Sequence, residues 1–396
     1  MVFNFDEVVD RRGTNSMKWD TGPRFMGRLG TERFDEDTIS VYTADMDFRC
    51  PPSVKEEIMK VVEHNIYGYT MLCPEVDMRY FDAVINWCKR RYDWKIGAHD
   101  IFYVNGTLEA IRVGILAFSN PGDGVLLNRP IYTPFARVIQ GTGRQLVNSQ
   151  LVNTDGYYTV DFEDFEAKAA LETTKIFLLC HPHNPTGRVW TDEELMRMYE
   201  ICRKHGVTII SDEIHADLTR KDVPFHPIAK VTGGKGIMTC TGVNKSFNVA
   251  GLEASNVIVT DPEMKRKVAF RLGMKMPSPV TVAAIIGAYN GGDEWLDQLR
   301  DYIDGTFDWV LDFCKKNLPK MKCVRPEGTY IFWMDFRDYG LSAEEIHKRI
   351  YVDANVLLEG GKMFDPDLGD GFERICLSTR RALIQEAFER IAAQFQ

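Results

Sequence analysis

Lys175-Ile176-Phe177-Leu178-Leu179-Cys180, followed directly by His181-Pro182-His183-Asn184-Pro185-Thr186-Gly187, is the stretch on which the reading of this chain turns. The first six residues are almost continuously apolar, the pattern of a strand in a parallel sheet covered on both faces. Pro182 stops regular pairing, so the residues after Cys180 form a shaped loop that displays His183 and Asn184. Ligands of open α/β sheets bind at the carboxyl ends of strands, which is where this loop lies. Alone, Asn-Pro-x-Gly reads better as an ordinary turn. The two histidines have no carboxylate or thiol at ligand spacing, so no metal is expected.

Working outward, Ile101–Val104, Val125–Leu127, Val207–Ser211, Ile237–Cys240 and Val257–Thr260 repeat the same apolar pattern, with amphipathic stretches between them. Thr191 with Glu194 forms a capping box that opens a helix to about Lys204, and Gly206 ends it. Pro121-Gly122-Asp123 is a turn between a helix and a strand. The alternation predicts a large α/β domain over 49–290, with a mostly parallel sheet covered by helices. Beyond it the pattern changes to a long helix (Glu294 to about Lys316) and a strand at Tyr330–Met334. A helix near Ser342–Tyr351, strands at Val356–Leu358 and Phe372–Leu377, and a closing helix Ala382–Ala393 follow. Residues 1–48 and 291–396 are expected to form a smaller α+β domain, the irregular N-terminal segment packing on it or on a partner subunit.

Composition narrows the function classes. The chain has 396 residues, 44% hydrophobic and 27% charged, with 48 Lys+Arg against 57 Asp+Glu for a formal charge of −9. That acidic balance gives no general attraction to phosphate backbones or anionic lipid, so neither nucleic acid nor membrane is expected as a partner. The nine cysteines include no CxxC pair and several sit in apolar runs, which reads as reduced, buried thiols in a cytoplasmic protein. The N-terminus is acidic and lacks the pattern of a signal peptide. The longest apolar run, Val280 to Tyr289, is far shorter than the ~20 residues that span a bilayer.

Four strand ends carry suggestive groups. Gly106-Thr107 opens a helix whose unpaired N–H groups suit a phosphate. Asn184 lies in the loop quoted above. Asp212, in Ser211-Asp212-Glu213-Ile214-His215, is an acid at the end of a buried strand, costly unless a cation or a protonated nitrogen meets it. Lys245, in Thr241-Gly242-Val243-Asn244-Lys245-Ser246, is either a surface lysine or a desolvated amine able to form a Schiff base. Singly, each has a bland alternative: a helix start, a turn, an N-cap, a solvated lysine. Together they suit pyridoxal 5′-phosphate: a phosphate cradle, an amide for the phenolic oxygen, an acid for the pyridine nitrogen and a lysine for the aldehyde.

At this point the sequence resembles the fold-type I pyridoxal-phosphate enzymes of the class I/II aminotransferase superfamily. More closely it resembles the C–S β-lyases that include cystathionine β-lyases and cystalysin. The likeness is carried, in order, by GTNSMKWD (13–20), ADMDF (44–48), YGYT (67–70), RPIYTPF (129–135), HNPTGRVW (183–190), SDEIHADL (211–218), NKSFNVAGL (244–252), EGTY (327–330) and GFERI (371–375). It implies Lys245 as the Schiff-base lysine and the base for the substrate Cα proton, Asp212 on the pyridine nitrogen, Asn184 and His215 at the phenolic edge, and Tyr132 stacked on the ring. Gly106, Thr107 and Leu108 would hold the phosphate, with Tyr69 reaching it from the other subunit of a homodimer with shared active sites. Arg374 would capture the substrate carboxylate through its planar fork, with Asn184 and Ala44 also at the substrate.

Three positions depart from the pattern. Glu253 stands eight residues after the lysine, where many aminotransferases carry a phosphate-binding arginine. Its carboxylate cannot serve, and Thr241 and Asn244 are the substitute donors expected. Thr133 replaces a second aromatic after Tyr132, and Ser40–Thr43 replaces a tryptophan-bearing form before ADMDF. The activity implied is β-elimination from L-cystathionine or a related S-substituted L-cysteine, giving a thiol, pyruvate and ammonia. Transamination of an L-amino acid needs the same residues and is the alternative. A regulatory protein with an incidental cofactor site is the third reading.

Overall fold

A computed structural model describes residues 1–21 and 34–396. Its centre is a seven-stranded sheet of β1 (Ile101–Asn105), β2 (Gly124–Leu127), β3 (Gln145–Asn148), β4 (Thr174–Cys180), β5 (Thr208–Asp212), β6 (Ile237–Gly242) and β7 (Ala254–Ile258). The spatial order is β1-β7-β6-β5-β4-β2-β3. Only β7 runs against the others, antiparallel to both β1 and β6. The expected alternation of faces is plain on β4. Ile176, Leu178 and Cys180 enter one apolar cluster, while Phe177 and Leu179 enter the cluster on the opposite face. Burying one such side chain is worth about 1.5–3 kcal/mol, so the strand is fixed from both sides.

Helix Thr107–Phe118 lies on one face of this sheet. Gly114 lets it lie close, because a Cβ there would fall 2.7 Å from Ile210 and 2.9 Å from Met238. The helix start is thereby held at the carboxyl ends of β1 and β5. The predicted capping box is present: the Thr191 hydroxyl accepts from the Glu194 N–H at 3.2 Å, and Glu194 accepts from the Thr191 N–H at 2.9 Å. Helix Asp192–Lys204 follows.

The C-terminal part holds a three-stranded antiparallel sheet of β8 (Ile331–Asp335), β9 (Glu359–Gly360) and β10 (Phe372–Cys376), in the order β8-β10-β9. The long helix Asp293–Asn317 and the closing helix Arg381–Ala392 pack together beside it. The N-terminal segment does pack on this part. Ile39–Ser40 pairs in parallel with Val356–Leu357, and Phe5 meets Trp295 and Tyr302 of the long helix. Residues 22–33, part of the segment expected to pack there, lie outside the described residues.

Two expectations need correction. The last strand of the central sheet begins at Ala254 rather than Val257, because Ser255 and Asn256, polar but fully buried, each find a side-chain hydrogen-bond partner inside. Asn256 Oδ1 accepts from the Tyr80 hydroxyl at 2.5 Å, and Ser255 Oγ from the Asn244 amide at 3.1 Å. The helix expected near 342–351 is short, Ala343–His347, and continues as a wider turn to Asp353. Among the described residues no helix is long and apolar enough to cross a membrane.

Candidate active site

The sheet's carboxyl ends and β10 of the smaller sheet enclose one cleft. Asp212, the last residue of β5, is 4% exposed. Burial pushes its carboxyl up to about 7, against the Ile214 N–H, Lys245 and the Thr107 hydroxyl, all of which favour the charged form. Its resolved donor is the Ile214 N–H at 3.2 Å. A buried carboxylate with so little compensation fits a protonated ring nitrogen.

Lys245 lies in the loop after β6, partly exposed to the cleft, and its Nζ donates to the Ala44 carbonyl at 2.7 Å. Burial lowers its pKa and Arg374 acts in the same direction, while Asp45, Cys376 and Asp212 oppose. Tyr330, from the EGTY motif, donates to the same carbonyl at 3.0 Å. The Ala44–Phe48 segment is itself tied to the lysine loop: Asn248 donates to the carbonyls of Met46 and Phe48 at 3.1 and 2.6 Å. Asp47 receives Lys18 at 2.7 Å and Arg11 at 3.1 Å.

Arg374, on β10, is fully buried and donates from Nη1 to Asn184 Oδ1 at 3.0 Å. Its Nη2 is paired with Glu359, and its Nε is buried without a partner among the described residues. Tyr132 joins the same group: burial raises its pKa, Arg374 lowers it, and Glu359 and Asp212 raise it further. Its ring meets Phe135 edge-on at 5.6 Å. His215 stays neutral, pushed down to about 3 by burial and by Lys245 and Arg374. Its ring stands edge-on to Tyr330, and its Nδ1 is buried with no partner among the described residues. Gly106, at φ +82°, precedes Thr107 at the helix start, where a Cβ would meet nothing within 4 Å. That open space suits an anion on the helix N–H groups.

The structure therefore brings together Lys245, Asp212, Asn184, His215, Tyr132, Ala44, Thr107 and Arg374. Leu108 packs partly into the core, which leaves its backbone N–H as its only donor to the cradle. Asn244 holds the lysine loop to the neighbouring strand. Its side-chain amide donates one N–H to Ser255 Oγ and accepts from the Ala254 N–H at 2.9 Å, both on β7. Thr241 directs its hydroxyl toward Tyr289. Glu253, at φ +50°, is exposed beside Asn105, and its carbonyl accepts from the Gly106 N–H at 3.2 Å. Thr133 bonds the Met363 carbonyl, tying the Tyr132 turn to the loop that carries Phe364. Tyr69 is 96% exposed and does not reach the site within this chain.

Sequence reasoning missed three contributors. Tyr330 stood in a quoted motif without a role. Asp217, five residues past Asp212, accepts from Trp87 at 3.0 Å, from Tyr92, and from Ser246 at 2.7 Å, so it anchors the residue next to Lys245. Glu359 had no signal, because only the pairing of β9 with β10 places it beside Arg374.

A buried acid, an amine of lowered pKa, a helix-start cradle and a buried arginine around one cleft are the fittings of a pyridoxal-phosphate site. The chain belongs to the aminotransferase class I and II family, whose model matches residues 38–391. It is 36% identical to cystathionine beta-lyase PatB of Bacillus subtilis, covering 98% of this chain and 99% of that one. Cystalysin of Treponema denticola, which contains a pyridoxal 5′-phosphate cofactor, superposes with TM-score 0.92 at 31% identity, covering 100% of this chain and 99% of that one. The pyridoxal-phosphate-bound C–S lyase of Staphylococcus hominis, complexed with the inhibitor L-cycloserine, matches with TM-score 0.92 at 30% identity and the same coverage.

Proposed function

We infer that this protein is a pyridoxal-phosphate-dependent carbon–sulfur β-lyase acting on L-cystathionine or related S-substituted L-cysteines. The observation that carries the reaction class is the end-to-end likeness to PatB. Bound pyridoxal phosphate supplies an aldehyde for the amino group and a ring that takes up the electron pair released at Cα.

The chain's residues do the rest. Arg374, oriented by Asn184, holds the substrate's α-carboxylate and so fixes which Cα bond faces the ring. Lys245 Nζ, its pKa lowered by burial, holds the cofactor before substrate arrives and then takes the Cα proton. The Ala44 carbonyl and the Tyr330 hydroxyl position that amine. With the cofactor bound, Asp212 would keep its ring nitrogen protonated, and Tyr132, His215 and Asn184 would help hold its ring. Thr107 and the N–H groups of residues 106–108 would hold the phosphate. Sulfur leaves from Cβ with the C–S electron pair, and the unsaturated amine left behind hydrolyses to pyruvate and ammonia.

Assembly is part of the same reading. Tyr69 is 96% exposed within a run that also exposes Ile66 (63%), Met71 (62%) and Val76 (84%). Exposed apolar side chains in series are characteristic of a surface that is covered. A homodimer in which this segment crosses to the other subunit's phosphate site accounts for them. The division into a large domain, 49–290, and a smaller one from 1–48 and 291–396 belongs to the same proposal, as does a cytoplasmic location.

The test is thiol release from L-cystathionine and S-alkyl-L-cysteines by the cofactor-loaded protein. Continuous release, abolished in Lys245→Ala, is the expected outcome. No thiol from any of them overturns the proposal.

A further inference from the structure

The arginine assigned to the substrate carboxylate already carries an anion. Glu359 and Arg374 are register partners on antiparallel strands β9 and β10, so the backbone sets their side chains next to each other. Glu359 Oε2 pairs with Arg374 Nη2 and also accepts from the Thr43 N–H at 3.1 Å, one residue before the Ala44 carbonyl that holds Lys245. The Glu359 side chain is 13% exposed and that of Arg374 is 1% exposed, so water screens the pair weakly. Positioning alone does not require this acid, because Asn184 already fixes Nη1 and the Phe364 ring lies 4.6 Å from the guanidinium carbon.

The consequence is a matter of charge. The Glu359–Arg374 pair sums to zero, so a ligand with a net charge of −1 enters beside an unbalanced carboxylate. An amino acid enters as a zwitterion, its ammonium offsetting its own carboxylate. A 2-keto acid has no such offset. We propose that Glu359 is a specificity-determining residue that lets Arg374 accept zwitterionic amino acids while disfavouring 2-keto acids. Deepening the lyase reading and resting on it, this assigns Glu359 the task of clearing the pyruvate product and denying the site to the amino-group acceptor that transamination requires.

The test uses the cofactor-loaded dimeric protein and compares wild type with Glu359→Gln, which keeps an acceptor for Thr43 and Arg374 and removes the charge. Binding of pyruvate and of 3-(methylthio)propionate, an amine-free thioether acid, is followed by calorimetry, independently of turnover. Both are expected to bind about tenfold more tightly to the variant, the scale of one charge contact in a partly wet pocket. The KM for L-cystathionine is expected to fall by a clearly smaller factor than the pyruvate dissociation constant over the same comparison. Glu359→Ala, which removes the Thr43 contact as well, must move pyruvate affinity in the same direction. Unchanged or weaker pyruvate binding in both variants overturns the proposal. So does equal tightening of pyruvate and L-cystathionine, which would make Glu359 an unselective competitor for Arg374. Failure of the lyase reading is separate and visible as absent thiol release from wild type.

Discussion

Replacing Asp212 with asparagine should stabilise the cofactor-free protein and cripple the loaded one. Asp212 is 4% exposed, and burial moves its carboxyl from the ordinary 3.8 to about 7. At ~1.4 kcal/mol per pH unit, ionising it inside the fold costs about 4 kcal/mol. Below about pH 4 the folded and unfolded chains are both protonated at this group, which then contributes nothing. Between about 4 and 7 the folded chain keeps a proton that the unfolded chain has lost, so stability falls as pH rises; above about 7 the whole cost is present. Asparagine retains the carbonyl that accepts from Ile214 and carries no charge. At pH 8 the cofactor-free variant should therefore melt higher than wild type, by about 5 °C for a chain of this length if the full cost is recovered. At pH 5 the difference should shrink to less than half. The loaded variant, unable to pair with a protonated ring nitrogen, should lose about a hundredfold or more in kcat. The assay is a pair of thermal melts across pH 5–8 on protein stripped of cofactor, with kcat measured on the loaded forms. A variant that melts at or below wild type at pH 8, or whose advantage does not grow with pH, would refute the assignment of Asp212 as a destabilising acid held ready for a cationic partner.

Other outcomes follow from the same geometry. Arg374→Lys should raise KM for L-cystathionine by about a hundredfold with a smaller fall in kcat, because an ammonium cannot reproduce the bidentate fork; steady-state kinetics on thiol release measure it. Asp217→Ala strands the donors Trp87, Tyr92 and Ser246 in the interior and should cost about 3–5 kcal/mol of stability, read by denaturant unfolding. Glu253→Gln removes a negative charge beside the Gly106–Thr107 cradle and should tighten cofactor binding a few-fold at low salt, an effect that fades as salt is added; reconstitution titrations of the stripped protein report it.

Much of this molecule is written locally, and the failures mark where it is not. Strand β4 and its loop were legible because five consecutive apolar residues, closed off by Pro182, admit few readings. Lys245, Asp212 and Asn184 were legible because each sits at or just past the end of such a strand, where the sheet must deliver it to a common edge. The start of β7 was lost because Ser255 and Asn256 look like loop residues until their buried bonds to Asn244 and Tyr80 are seen. Its antiparallel direction was hidden too, since an apolar run reads the same either way. Strand β3, four residues at the sheet edge with only Leu146 and Val147 apolar, was too short to give a pattern to read. The bonds that tie Asn244 to β7 were equally invisible, because composition does not reveal which strand its amide meets. Glu359 meets Arg374 only through tertiary pairing, so no spacing in the sequence could have announced it.

The central claim, elimination rather than amino-group transfer, is tested most directly by counting turnovers without an acceptor. Cofactor-loaded protein is mixed with excess L-cystathionine and no keto acid, and thiol, pyruvate and the cofactor's absorbance are followed together. The account predicts thiol and pyruvate appearing in equal amounts over many turnovers, with the pyridoxal form persisting. One stoichiometric conversion to the pyridoxamine form, restored only by an added keto acid, would contradict it and make the protein an aminotransferase.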